Sequence, residues 1–303
     1  RGLMRSTNGG SSFTLPLQGN FNVAYQPSDL EIDADNNLWI GTRRNAWGDG
    51  GGTILKSSNG TSWTLVYENS DADRVELACA RNNSEVIYAV GGSPGGSGDN
   101  DIEYFIKSTN GGSEWGDVNI PIDQNSVHFT RGQAWYDLIL AVSPNDENTI
   151  YAGGIDIHKS TDSGNTWTQL SHWYGGFGLG YVHADQHSFA FRPGHPNSII
   201  FGNDGGIHMS IDAGSVFVSK NTGYNITQFY SVAMHPGDRV NYFLAGSQDN
   251  GTQQFIDAYS TVSTNEVTGG DGAYCFIDQS DPNIQMSSSQ YNNWYISQDG
   301  FQT

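Results

Sequence analysis

His183, Asp185 and His187, spaced by two in the segment HADQH, carry side chains well suited to chemistry. If the segment is extended, alternate side chains share one side and the three converge. Imidazole and carboxylate are common ligands of zinc, and carboxylate of calcium, so the triplet is a candidate divalent-metal site. A polar lining around water, or hydrogen bonding to a ligand, is the competing use. Three more acids sit in glycine-rich turns: Asp204 in NDGG, Asp249 in QDNG and Asp271 in GGDG. Glycine lets a ligand approach the backbone closely, although Asp-Gly and Asn-Gly are also ordinary turn dipeptides. Asp185, Asp204, Asp249 and Asp271 are therefore candidate catalytic carboxylates. Glycoside hydrolysis needs two, about 5–5.5 Å apart for retention or about 6.5–9.5 Å for inversion. Aromatics in similar loops, Trp47, Trp135, Trp173 and Tyr174, offer ring faces that suit the C–H faces of sugars. Core packing under long loops is their alternative role.

These residues need a scaffold, and the sequence describes one by repetition. RSTNGGSSF, KSSNGTSWT, KSTNGGSEW, KSTDSGNTW and MSIDAGSVF recur, and ISQDGFQT begins another copy. Their serines, Ser6, Ser57, Ser108, Ser160, Ser210 and Ser297, are spaced by 51, 51, 52, 50 and 87 residues. The long last interval has room for one degenerate copy, near Gln248–Phe255, giving about seven units. Within a unit, apolar runs such as DLILAVSP, TIYAGG and DIHKS alternate with turns such as NDEN, GHPN and GDRVN. Short runs broken by turn residues read as antiparallel strands. Four strands per ~50-residue unit, repeated about seven times, describe an all-β, seven-bladed β-propeller of four-stranded antiparallel blades. The serine-containing turn falls between the third and fourth strands. Its Asp or Asn can accept bonds from turn N–H groups, and its aromatic (Phe13, Trp63, Trp115, Trp167 or Phe217) is expected to pack on its own blade. Residues 1–303 read as one propeller domain with incomplete first and last blades, a segment of a longer chain.

Composition narrows the function. Lys and Arg total 13 against 32 Asp and Glu, a net charge of −19. Such a field repels phosphate backbones and anionic lipid, which excludes nucleic acid as an expected partner. No run approaches the ~20 apolar residues that span a bilayer, so membrane insertion is not expected. Cys79 and Cys275 each sit in an apolar run and read as two buried thiols without a disulfide framework.

The recurring Ser-x-Asp/Asn-x-Gly box resembles the Asp-box, or bacterial neuraminidase, repeat over essentially the whole chain. Sialidases, sortilin-like propellers, xyloglucanase-type glycoside hydrolases and a photosystem II assembly-factor propeller carry it. The combination of HADQH, NDGG, a box, NITQFY, QDNGT and GGDG looks like a module of large secreted bacterial proteins. The resemblance implies a secreted, extracellular or cell-surface location and a polysaccharide or an extracellular protein or peptide as partner. It fixes fold more than activity. A sialidase is disfavoured: the Arg-Ile-Pro motif of that family is absent, and Arg192-Pro193 lies mid-chain. The reading is a glycan- or protein-binding module; the alternative is a glycoside hydrolase using the Asp carboxylates.

Overall fold

The computed structural model describes residues 2–15, 25–96, 98–224, 227–237, 241–257 and 264–302. Asn225 and Ile226 of NITQFY and residues 238–240 of the GDRVN turn lie outside them. The described residues are all-β apart from a 3-10 turn at Gln290–Asn292. The fold is a β-propeller of antiparallel sheets.

The chain divides into two compact units, Arg1–Lys220 and Asn221–Thr303. The first holds four sheets, over 26–68, 75–117, 139–169 and 186–219, each of four strands paired in chain order. An antiparallel bridge between Arg5 and Thr14 precedes them. A short parallel pair, Ser171–His172 with Gly180–Tyr181, lies between the third and fourth sheets in sequence. The second unit holds a four-stranded sheet over 229–268 and a three-stranded sheet over 275–297. The predicted runs fall on strands: DLILAVSP on Ile139–Ser143, TIYAGG on Asp146–Gly153 and DIHKS on Ile157–Ser160.

In the first unit the apolar residues are buried in the seams between successive sheets. Trp39 and Ile54 of the first sheet meet Leu77, Ile87 and Tyr104 of the second. Tyr88 and Phe105 of the second meet Leu140 and Ile150 of the third. Tyr151 and Ile157 of the third meet Ile199 and Phe201 of the fourth. Both cysteines are buried and free, as the sequence indicates.

All six serine boxes share one hydrogen-bond scheme. In the box at 160–167, Ser160 Oγ accepts from Gly164 N at 2.8 Å and Asp162 N at 3.2 Å, and Asp162 Oδ1 accepts from Thr166 N at 2.8 Å. The boxes starting at Ser6, Ser57, Ser108, Ser210 and Ser297 repeat it. Hydrogen bonds from the Thr166 hydroxyl, the Thr166 N–H and the Ser160 hydroxyl hold the Asp162 carboxyl down at about 2. Each box after the first begins at the last residue of the third strand of its sheet, as predicted. The degenerate seventh copy does not hold up. Residues 248–251 form the turn before the third strand, and Thr252–Phe255 is that strand.

Phe217 packs on Phe201 of its own sheet at 5.8 Å, as expected, but other box aromatics differ. Trp115 packs against Tyr67 of the preceding sheet, with centroids 5.9 Å apart. Trp167 packs against Phe105 of the preceding sheet at 5.5 Å and donates from Nε1 to Asn119 O at 2.6 Å. Phe13 is exposed. The boxes bearing Trp115 and Trp167 thus join neighbouring sheets, where the sequence suggested each closes its own.

A second contact has the same direction. The residue before each box serine reaches into the next box: Arg5 Nη1 to Asn59 O at 3.1 Å, Lys56 Nζ to Gly111 O at 3.0 Å, Lys107 Nζ to Ser163 Oγ at 3.0 Å, and Lys159 Nζ to Ala213 O at 3.5 Å. Each lysine also lies over an aromatic ring of the second strand, Trp39, Tyr88 or Tyr151, at 4.7–5.3 Å. The series stops at Met209, which precedes Ser210 and cannot donate. In the second unit a neutral donor takes over: Gln254 Nε2 donates to Tyr242 OH at 2.8 Å and to Gly300 O at 2.7 Å. Replacing Lys56 by Met removes a charge-assisted bond and a cation–π contact, and should cost about 1–2 kcal/mol. A lowered urea midpoint checks this; an unchanged midpoint would show that the contact contributes no stability.

Candidate functional site

Trp135, Asp185, His187 and Asp204 gather around one loop, residues 130–137, which leads into the third sheet. Asp101 anchors this loop. It is buried, accepts from the Thr130 hydroxyl, and accepts from Ala134 N at 2.6 Å. Arg74 holds the far end, donating to Tyr136 O at 2.5 Å and Leu138 O at 3.1 Å. The loop thereby presents Trp135, Tyr136 and Asp137 in sequence. Trp135 is 42% exposed and rests on Gly95, where an added Cβ would lie 3.3 Å from the indole.

Asp204 lies across from this loop, in the two-residue turn after strand His195–Asn203. Tyr136 OH donates to its Oδ2 at 2.7 Å, and His187 Nε2 lies 2.6 Å from its Oδ1. The Tyr136 and His187 rings meet edge-on at 4.8 Å. Both carboxylate oxygens of Asp204 are therefore engaged. The NDGG turn has a second packing role: a Cβ at Gly205 would lie 2.3 Å from the His183 ring, so only glycine fits there.

HADQH is not extended. Asp185 has φ +65°, in the left-handed region, which breaks the alternation that would align His183, Asp185 and His187. His183 Nδ1 lies 3.2 Å from Ala184 O, and His187 starts strand Gln186–Arg192 and faces Asp204. Asp185 is buried beside Asp137. The same-side alternation of an extended segment, on which the zinc or calcium expectation rested, is therefore absent, although His183 and His187 both lie close enough to act electrostatically on Asp185.

The Asp137–Asp185 pair was not foreseen. Asp137 is fully buried, and neither of its oxygens meets a donor N–H or O–H from another residue. Two adjacent buried carboxyls cannot both ionise cheaply, so they share a proton. Burial, with the charge of Asp185, pushes the Asp137 carboxyl up to about 10, and burial and Asp204 raise Asp185. The proton carried by Asp137 lets it donate to Asp185. One oxygen each of Asp185 and Asp204 lies within 4.8 Å of the other.

A second aromatic group sits on the loop after the third sheet. His172 is buried and carries Tyr174 at 4.0 Å and Phe177 at 5.0 Å, and Trp173 meets Tyr174 at 4.6 Å. Trp173, Tyr174 and Phe177 are 42%, 58% and 66% exposed. Phe177 was not singled out from the sequence, although it lies in the same glycine-rich stretch. Trp47 stands exposed on the turn between the second and third strands of the first sheet.

Asp249 and Asp271 belong to the second unit, which brings them together. Asp249, with φ +60°, donates from its backbone N to Asp271 Oδ1 at 2.9 Å, and Gln290 Nε2 donates to Asp271 Oδ2. These bonds knit the QDNG and GGDG turns to each other.

The shared proton has a measurable consequence. Folded Asp137 keeps a proton that the unfolded chain releases above about 4. The stability it contributes is complete below that pH and is lost as pH rises toward about 10. Asp137→Asn can still donate to Asp185 without a proton to lose. Its melting temperature should therefore exceed that of the parent at about pH 8.5 and converge with it near pH 4.5. Parallel pH profiles would show that the pair does not share a proton.

No protein-family model matches the chain, and no curated protein matches it. Among solved structures it is similar to the GH74 xyloglucanase from Xanthomonas campestris, with TM-score 0.48 and 13% identity over 92% of this chain and 44% of that one. It is also similar to YCF48 from Cyanidioschyzon merolae, with TM-score 0.43 and 13% identity over 93% of this chain and 85% of that one. The GH74 enzyme from Niastella koreensis gives TM-score 0.41 and 14% identity over 98% and 50%. The chain spans half or less of the length of both GH74 enzymes.

Proposed function

We propose that this chain is a glycan-binding module of the Asp-box type, part of a secreted or cell-surface protein. The observation that carries the reading is the group Trp173, Tyr174 and Phe177, outward-facing yet fixed on buried His172. A soluble protein rarely leaves three large rings together in water without a use. Rings already held in place lose little entropy on binding. Among the described residues no helix is long and apolar enough to cross a membrane.

Catalysis is the second reading, and one observation favours it. Asp185 has a raised pKa and lies close to Asp204, the pattern of a general acid beside an ionised partner. Against it, Asp204 already spends both oxygens on Tyr136 and His187, and Asp185 takes a bond from Asp137.

A polysaccharide panel with two readouts separates these readings. Trp173→Ala with Tyr174→Ala should weaken glycan binding about tenfold or more while no reducing ends are released. Unchanged binding would remove the platform from the site. Release of reducing ends that Asp185→Asn or Asp204→Asn abolishes would install the hydrolase in its place.

A further inference from the structure

The first unit contains a pocket that the carboxylates and the outer aromatic group do not touch. It has a volume of about 370 Å³ and is lined by Gln26, Pro27, Ser28, Arg43, Arg74, Trp135 and Tyr136. Gln26 and Arg43 pair across the first two strands of the first sheet, and Trp135 comes from the 130–137 loop. The volume is at the low end of the range for small-molecule sites, about 300–1,000 Å³, and suits one sugar residue rather than a peptide segment.

The two arginines in this pocket are not equivalent. Arg74 is occupied: it contacts Glu76 Oε1 at 2.6 Å and holds the carbonyls of Tyr136 and Leu138. Its role is to fix the loop that presents Trp135. Arg43 makes no ion pair and no side-chain hydrogen bond with another described residue. Although 32 acidic residues stand against 13 cationic ones in this chain, none of the described ones pairs with Arg43, which lines the cavity. A guanidinium fork matches a carboxylate by two parallel bonds. Trp135 adds an aromatic wall 42% exposed, and the Gln26 amide adds a donor and an acceptor.

We infer that this pocket is a subsite for a uronic acid residue: Arg43 binds the carboxylate, Trp135 stacks on the pyranose ring, and Gln26 hydrogen-bonds a ring hydroxyl. The inference rests on the glycan-binding reading and names one residue of the glycan. The net charge of −19 further restricts it. At physiological salt the repulsion fades beyond about 8 Å, so one carboxylate beside Arg43 is accommodated, whereas a densely charged polymer is repelled along its length. The ligand is thus an isolated or terminal uronic acid in an otherwise neutral glycan.

Methyl glucuronide and methyl glucoside differ only at C6 and are the probes. In calorimetric or NMR titration the glucuronide should bind about tenfold more tightly than the glucoside. Arg43→Gln should bring the two within about twofold, and Arg43→Lys should fall between, because it keeps the charge and loses the fork. Trp135→Leu should weaken both probes and preserve their ratio. Equal affinities in the parent protein, or discrimination that persists in Arg43→Gln, would overturn the subsite. N-acetylalanine binding as tightly as the glucuronide would overturn it in favour of a peptide carboxylate. If neutral glycans bind but the glucuronide gains nothing, only the subsite fails. If no glycan binds the parent protein, the glycan-binding reading fails with it.

Discussion

The lysine that each of the first three sheets sends from its third strand into the following serine box is the contact on which the first unit depends. A single four-stranded sheet buries too little to stand alone, so each must find its neighbour in a fixed register. Apolar seams supply most of the energy but little direction, since a hydrophobic face tolerates sliding. A lysine ammonium over an aromatic ring, reaching one carbonyl or hydroxyl of the next turn, tolerates much less. Lys56, Lys107 and Lys159 repeat that geometry, while Arg5 and, with a neutral amide, Gln254 supply the bond to a carbonyl of a following box. Met209 interrupts the series in the last sheet of the first unit, close to the Lys220–Asn221 division.

The boxes were legible because their chemistry is local. A serine that accepts from the glycine N–H three or four residues on, and an acid that accepts from N–H groups just beyond it, leave their signature within one short window. What the boxes hold together was not legible. The lysine contacts join residues 54–56 positions apart, and nothing in one repeat says which turn its lysine will meet. The same limit misdirected the box aromatics. A ring beside a turn reads as packing on its own sheet, while Trp115 and Trp167 lie in seams with the sheet before.

At the site, the sequence identified the participants better than their grouping. Asp204, His187 and Trp135 do lie around one loop. HADQH was read as extended because period two is the default for residues leading into a strand, but Asp185 adopts a left-handed conformation that no periodicity reveals. Asp137 and Tyr136 were visible in RGQAWYD as neighbours of Trp135. Their roles depend on contacts 48 and 68 residues away, with Asp185 and Asp204. Arg43 carried no signal, since an arginine at the end of a strand is ordinarily a solvated one.

Charge placement is what supports the proposed binding role over bond cleavage. A hydrolytic pair needs one carboxyl that can give up its proton and one carboxylate with a free lone pair at the reacting carbon. Here the proton is held on Asp137, which is fully buried, and Asp204 is hydrogen-bonded on both oxygens. Moving either group into service would break contacts that also fix the loop bearing Trp135 and Tyr136. The buried acid, the His187–Asp204–Tyr136 chain and the Arg74 clamp on the loop carbonyls therefore act in one direction. They hold an aromatic and polar surface rigid, which lowers the entropy cost of the binding proposed for it.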